Sequence, residues 1–341
     1  MRMWSKLSAT LALVAVACGG ATVPSEPERR QPTESSPGAQ SSAVEISVVA
    51  SAAPLAPPAP LPPPVFSDET KAMLRRLPAA CPLGRFFGDV ALLMDDAAID
   101  AIDGLVDKLP KPPKPSAVAF ARLKATGVHP LRAIKAYAEC GIGEKDEAVM
   151  GMTVDLAKVD EPMSVVAKAF ADVNGKKARI EKKGDLTWVT SGTGEVVVQA
   201  DATTLLMGKR KALELALKST EGEAGFDGAA GSLAWMISPK REGIDPFQFN
   251  ARLNGDQISV RVLAEMGDRA VAARANVLQT RDQLPAMFGV GAPSTLTSVL
   301  EKLQVEEQSG VLIVSVDLPR DFVPLLLNDP GLQKMFTGVV P

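Results

Sequence analysis

An α+β fold of antiparallel sheets with packed helices is predicted by three observations on the 341-residue sequence. Short apolar runs alternate with helical stretches from about residue 148 onward, and several strand pairs are separated by tight-turn residues such as Lys183-Gly184-Asp185 and Ser309-Gly310. Such local pairing favours antiparallel strands over a doubly wound parallel sheet. An apolar share of 46% supplies a core, and a charged share of 23% is that of an ordinary globular domain.

The elements follow in order. Ser67-Asp68 caps a helix to Leu77, stopped by Pro78. Phe86–Met94 reads as a buried strand. Asp95–Leu109 reads as an amphipathic helix with Ile99, Ile102, Leu105, Val106 and Leu109 on one side. Short helices are predicted near Ser116–Thr126 and over Pro130–Glu139, the second opening on a proline suited to a first turn. Val149–Lys158 is a strand and Pro162–Val173 a helix. Lys177–Lys182 and Leu186–Thr190 form a hairpin, Glu195–Ala200 and Thr203–Met207 are strands, and Lys209–Lys218 is a helix. Farther on, Gln257–Glu265 alternates cleanly as a half-buried strand. A helix runs from Asp268 to about Gln283 and another over Thr295–Leu303; Leu303–Glu307 and Val311–Leu318 form a hairpin, and Arg320–Leu327 closes as a helix. The order strand, helix, hairpin, helix thus occurs near 148–218 and again near 257–328, which predicts a duplicated module.

The first 66 residues are different. Arg2 and Lys6 precede an apolar run from Leu7 to Ala17, followed by Cys18-Gly19-Gly20. Eleven residues are too few to span a bilayer, which takes roughly 20 in a helix, so the run reads as a signal peptide, residues 1–17. From Gly19 to Phe66, 11 of the 27 prolines fall among Ser, Ala, Gln and Glu, with no aromatic between Trp4 and Phe66. That composition cannot bury enough surface to fold and predicts a disordered linker over 18–66, with a polyproline II stretch at Pro54–Pro64. The expected organisation continues as a helical subdomain with one strand at 67–147 and an α+β domain at 148–341.

Leu13 followed by Ala15-Val16-Ala17-Cys18 resembles the lipobox of bacterial lipoproteins, in which small residues precede a modified cysteine. The resemblance covers the first 20 residues. It implies a thioether-linked diacylglycerol on Cys18, cleavage before it and acylation of the new N-terminus, so that more than one chain anchors the protein stably to a membrane. Gly19 rather than Asp after the cysteine implies the outer membrane. The alternating rhythm of 148–328 is also similar to the repetitive α+β modules of secreted bacterial lipoproteins, which implies no activity.

With Cys18 carrying lipid, an exported chain is expected to pair its other two cysteines, Cys81 and Cys140, as a structural disulfide. The remaining chemistry is mostly excluded. One histidine, His129, cannot build a zinc motif, and its place before Pro130 suits a turn. No GxSxG is present, and Met207-Gly208-Lys209-Arg210 lacks the rest of a phosphate loop. Asp96, Asp100, Asp103 and Asp107 recur at helical spacing beside Asp95, and are expected to form a solvated ridge without the ligand order of a calcium loop. Lys176, Lys177, Arg179, Lys182 and Lys183 crowd one hairpin, with Lys209, Arg210 and Lys211 following; they suit either anionic glycan or lipid head groups or a protective sheet edge. A formal net charge of −3 and 4% aromatics exclude a nucleic-acid platform. No catalytic set, metal site or cofactor is expected. The reading is a non-enzymatic envelope lipoprotein that binds or scaffolds an envelope protein, glycan or lipid. The alternative is a periplasmic carrier of an apolar ligand or lipid, whose cavity the helix from Asp268 would line.

Overall fold

The computed structural model describes residues 65–331 apart from 108–120, 122–123, 128, 144–146, 158, 160, 175–176, 242–243 and 289–293. The expected signal peptide, Cys18, most of the linker and the helix near Ser116–Thr126 thus lie wholly or largely outside the described residues.

Helix α1 (Asp68–Arg75) begins where Ser67 Oγ accepts the Thr70 amide at 3.2 Å, with Asp68 and Glu69 in the positive first turn. It buries Met73 and Leu74. Strand β1 (Gly84–Asp89) is followed by a single turn, α2 (Val90–Leu93), and by α3 (Asp96–Asp107). After α4 (Pro130–Ala133) come β2 (Ile134–Gly143), β3 (Glu147–Val154) and α5 (Pro162–Asn174). A four-strand meander follows: β4 (Arg179–Lys183), β5 (Leu186–Thr190), β6 (Val196–Gln199) and β7 (Thr204–Gly208), closed by α6 (Arg210–Ala216) and a 3-10 helix, Gly222–Ala229. The second half holds β8 (Ala234–Ser238), β9 (Phe247–Asn254), β10 (Gln257–Glu265), α7 (Ala270–Phe288), α8 (Ser294–Lys302), β11 (Gln304–Gln308), β12 (Val311–Pro319) and α9 (Phe322–Asn328).

All twelve strands join one sheet in the order β11-β12-β10-β9-β8-β1-β2-β3-β7-β6-β5-β4, and the pairings are antiparallel throughout. The α+β class with antiparallel pairing is as the sequence predicts. Ser309 and Gly310, with φ of 53° and 80°, make the tight β11–β12 turn that needs two left-handed residues.

The order also defines the repeat. Outward from the central β1–β8 pair, each half runs three antiparallel strands, then one helix (first half) or two (second half), then a returning meander of four strands in the first half and two in the second, whose last strand lies against the third: β7 beside β3, β12 beside β10. The repeated unit therefore starts at β1 and β8, earlier than the expected 148 and 257. The boundary expected between 147 and 148 falls inside β3, which pairs with β2.

One prediction is corrected outright. Pro130–Glu139 is not a helix: the helical turn stops at Ala133 and Ile134–Gly143 is a strand. Ala136, Ala138 and Cys140 alternate inward, and such small side chains let β2 sit between β1 and β3. Strands β8 and β9 were not among the predicted elements, and the strand expected over Phe86–Met94 ends at Asp89, whose Oδ1 accepts the Leu92 amide to start α2.

A single register row shows where the core sits. Glu181, Trp188, Val198, Leu206, Gly151, Ala138, Phe87, Trp235, Asn250, Arg261, Ser315 and Gln304 lie side by side across all twelve strands, on one face. From Trp188 to Trp235 the row is buried under α1, α6 and the 3-10 helix, with Met73, Leu213 and Phe226 packed on it. Gly151 leaves room there for Met73, since a Cβ would lie 2.6 Å from Met73 Sδ and displace that side chain. From Asn250 onward the same face turns polar and leaves the core. The opposite face is covered at both ends. There α5 packs Met163 and Ala167 on Val189 and Val197, while α7, α8 and α9 bring Val277, Val299 and Phe322 to Val262, Leu312 and Val314.

Candidate functional site

Cys81 and Cys140 are bonded, with Cα atoms 5.1 Å apart. The bridge ties the turn before β1 to β2 beside Arg85, the register partner of Cys140. The Arg85 guanidinium donates to Ala79 O at 2.6 Å and lies 5.8 Å from the Phe226 ring centroid. With Cys140 fully buried, this is a staple within the core.

His129 is positioned by both ring nitrogens. Nδ1 accepts the Leu131 amide at 3.2 Å, capping α4, so the proton of the neutral ring sits on Nε2, which donates to Asp103 Oδ1 at 3.1 Å. Lys124 Nζ meets Asp103 Oδ2 at 2.6 Å. Partial burial raises the Asp103 pKa, but the hydrogen bonds from Lys124 and His129 and the Lys124 charge outweigh it and hold the carboxyl below its usual range. Asp96 pairs with Arg132 at 2.5 Å. The acidic ridge is largely the solvated surface expected, with Asp95, Asp96 and Asp100 exposed. Two of its carboxylates strap α3 to the segment around 124–132, and the Asp107 side chain lies outside the described residues. Among the described residues no three His, Cys, Asp or Glu side chains gather as a metal site.

The basic segments meet. Arg210 Nη1 lies 3.0 Å from Glu181 Oε2 and its guanidinium is 5.1 Å from the Trp188 ring centroid, which brings the start of α6 beside β4. Arg210 also approaches Glu214 at 3.6 Å, as Lys183 does at 3.7 Å. Strand β4 is an outer edge of the sheet. Lys176 lies outside the described residues. The glycine of the Gly208-Lys209 pair ends β7, and a Cβ on it would meet Ala148 O at 2.7 Å, so close strand packing explains the glycine. No loop separates it from the helix to cradle a phosphate.

Two depressions among the described residues are open grooves. One, of about 280 Å³, lies between α8, β12 and α9, with Val299, Leu318 and Phe322 in its wall and Lys302 at its rim. The other, of about 550 Å³, is a shallow hollow lined by Glu221, Glu223 and Asp227. Helix α7, expected to line a carrier's cavity, instead exposes most of its surface, with Val271 67% accessible.

An uncovered surface lies at the polar end of the register row. On β9, β10, β12 and β11 it displays Gln248, Asn250, Arg252, Ser259, Arg261, Ser315 and Gln304. Ser259 Oγ donates to Asp317 Oδ1 at 2.6 Å, and Ser232 Oγ to Asn250 Oδ1 at 3.1 Å. Arg252 and Arg261 are exposed and make no salt bridge among the described residues. The array offers amide, hydroxyl and guanidinium donors on a rigid sheet. Sequence reasoning missed it because β9 was not recognised as a strand.

No protein-family model matches the chain, and no curated protein is similar to it. Solved structures of TP0453 are similar in outline. Crystal form III is 8% identical with a TM-score of 0.44, covering 74% of this chain and 95% of that one. Crystal form IV is 7% identical with a TM-score of 0.41, covering 74% and 94%.

Proposed function

We propose that the chain is a non-enzymatic envelope lipoprotein, anchored through a lipid on Cys18, whose domain presents the open polar face of β9–β12 to another envelope component. The anchor rests on the run Leu13 to Cys18 and its resemblance to a lipobox. The binding role rests on one observation: half of one sheet face carries helices and a hydrophobic core, while the other half of the same face is mostly polar around the apolar pair Leu263 and Ile313, with Arg252 and Arg261 exposed and making no salt bridge among the described residues. Specific binding surfaces are rigid arrays of convergent polar groups, and sheets hold such arrays better than loops. Among the described residues no helix is long and apolar enough to cross a membrane, so attachment falls to the lipid in this reading. The carrier alternative has less support, because neither groove is enclosed and α7 lines none.

Site-specific photo-crosslinking in cells tests the reading. A crosslinker at Ser315, on the open face, is expected to give a discrete adduct, and one at Val271, on the helical side, none. Adducts at Val271 with none at Ser315 would move the binding surface to the helices. Native mass spectrometry of the chain purified without detergent addresses the carrier, since a retained lipid-sized mass would favour it.

A further inference from the structure

The basic margin of the sheet is built differently from the open face. Arg210 is held by Glu181, Glu214 and the Trp188 ring, and Lys183 by Glu214, so these cations are used within the fold. Lys177, Lys182 and Lys211 are exposed and make no salt bridge among the described residues. Two exposed aliphatic side chains flank the same edge from its two faces: Ile180 on β4 at 45%, beside Lys182 on the face that α5 covers, and Leu215 on α6 at 68%, with Lys211 on the face that carries Glu181. The Glu181–Arg210 contact joins these segments into one margin.

Ammonium groups and protruding aliphatics on both sides of one sheet edge suit one kind of partner, met edge-on. An anionic bilayer surface attracts lysines within a Debye length and accepts shallow apolar groups at the headgroup boundary. A polysaccharide or nucleic acid gains nothing from Ile180 and Leu215, and the aromatic ring at this margin, Trp188, is 1% exposed and cannot stack on a ligand. The tether enters on the same half. Helix α1, which follows the linker, packs over β3 and β7, as α6 does. We infer that the margin formed by β4 and α6 docks on the surface of an anionic lipid bilayer and so orients the domain on its membrane. The orientation rests on the lipid-anchor reading, but the affinity of the margin for anionic lipid does not.

The test uses the chain from Gly19 onward, which keeps every described residue and cannot accept a lipid on Cys18. It is sedimented with vesicles of phosphatidylcholine alone, and with phosphatidylcholine and phosphatidylglycerol in equal parts. Binding is expected only to the anionic vesicles and is expected to weaken as salt rises. K182E/K211E should lower the affinity by more than about tenfold, at about fivefold for each lysine lost. L215S should lower it less, and K302E, beyond the opposite end of the sheet, should leave it unchanged. Equal binding to both vesicles, or K182E/K211E binding like the parent chain, overturns the proposal. The lipidated full chain is measured in parallel on pure phosphatidylcholine. Failure to bind there would contradict the anchor while leaving the margin's result standing.

Discussion

Thr153 and Thr204 face each other across β3 and β7, 3% and 0% exposed, and neither hydroxyl finds a hydrogen-bond partner. A buried unpaired hydroxyl costs its desolvation without return. Thr204→Val is therefore expected to stabilise the fold by about 1 kcal/mol, seen as a raised midpoint in urea; a lowered midpoint would show that the hydroxyl is satisfied. Asp103 carries the reverse lesson. Its pKa is depressed in the folded state, so its pairing with His129 and Lys124 contributes stability at pH values above the unfolded carboxyl's pKa, near 4, and that contribution is lost as pH falls through the lower folded value. Asp103→Asn should cost at most about 1 kcal/mol at neutral pH and flatten the stability profile below about pH 4. An acid limb unchanged by the substitution would remove Asp103 from the account. At this scale the sequence was a partial guide. The place of His129 before Pro130 marks a turn, as found, but nothing local shows that Asp103, 26 residues earlier, is its partner.

Among elements, legibility followed the contrast between faces. Gln257–Glu265 alternates between a buried and a polar side, and its predicted bounds match β10. Strand β8 is covered on both sides at its start, so Ala234 and Trp235 show no alternation. Strand β9 mixes Phe, Asn and Arg, types that read as loop when the polar half looks out. Strand β2 begins directly after a helical turn and is rich in alanine, so local propensity favoured helix until pairing with β1 and β3 overrode it. The two faces of β10 give the sharpest check. Val262→Ala, in the core under α7, should cost about 2 kcal/mol, whereas Arg261→Ala, one residue away on the open face, should stay within about 0.5 kcal/mol. Comparable losses at both positions would mean that something covers the open face.

For the whole molecule, one sheet carries two similarly wound halves, of seven and of five strands, around the β1–β8 pair and differs in what covers them. The first half is packed on both faces, with α1 and α6 on one and α5 on the other; the second is packed on one face only. Helix α9, which follows β12 as α6 follows β7, lies instead on the opposite side against α8 and α3. Asp329, just past α9, is 5% exposed and holds that arrangement: its Oδ2 accepts Ser294 Oγ and the Thr295 amide at 3.2 Å each, capping α8. The open polar face exists because the last helix crossed over, a consequence of topology that no local pattern encodes. The proposed lipid on Cys18 would join this face and the basic margin to a membrane, and every functional proposal that places them there turns on that link. Mass spectrometry of the mature chain extracted from cell membranes tests it most directly. An N-terminal peptide beginning at Cys18 and carrying diacylglycerol on its sulfur is the predicted result. A mature chain that begins elsewhere, or a free Cys18 thiol, would contradict it.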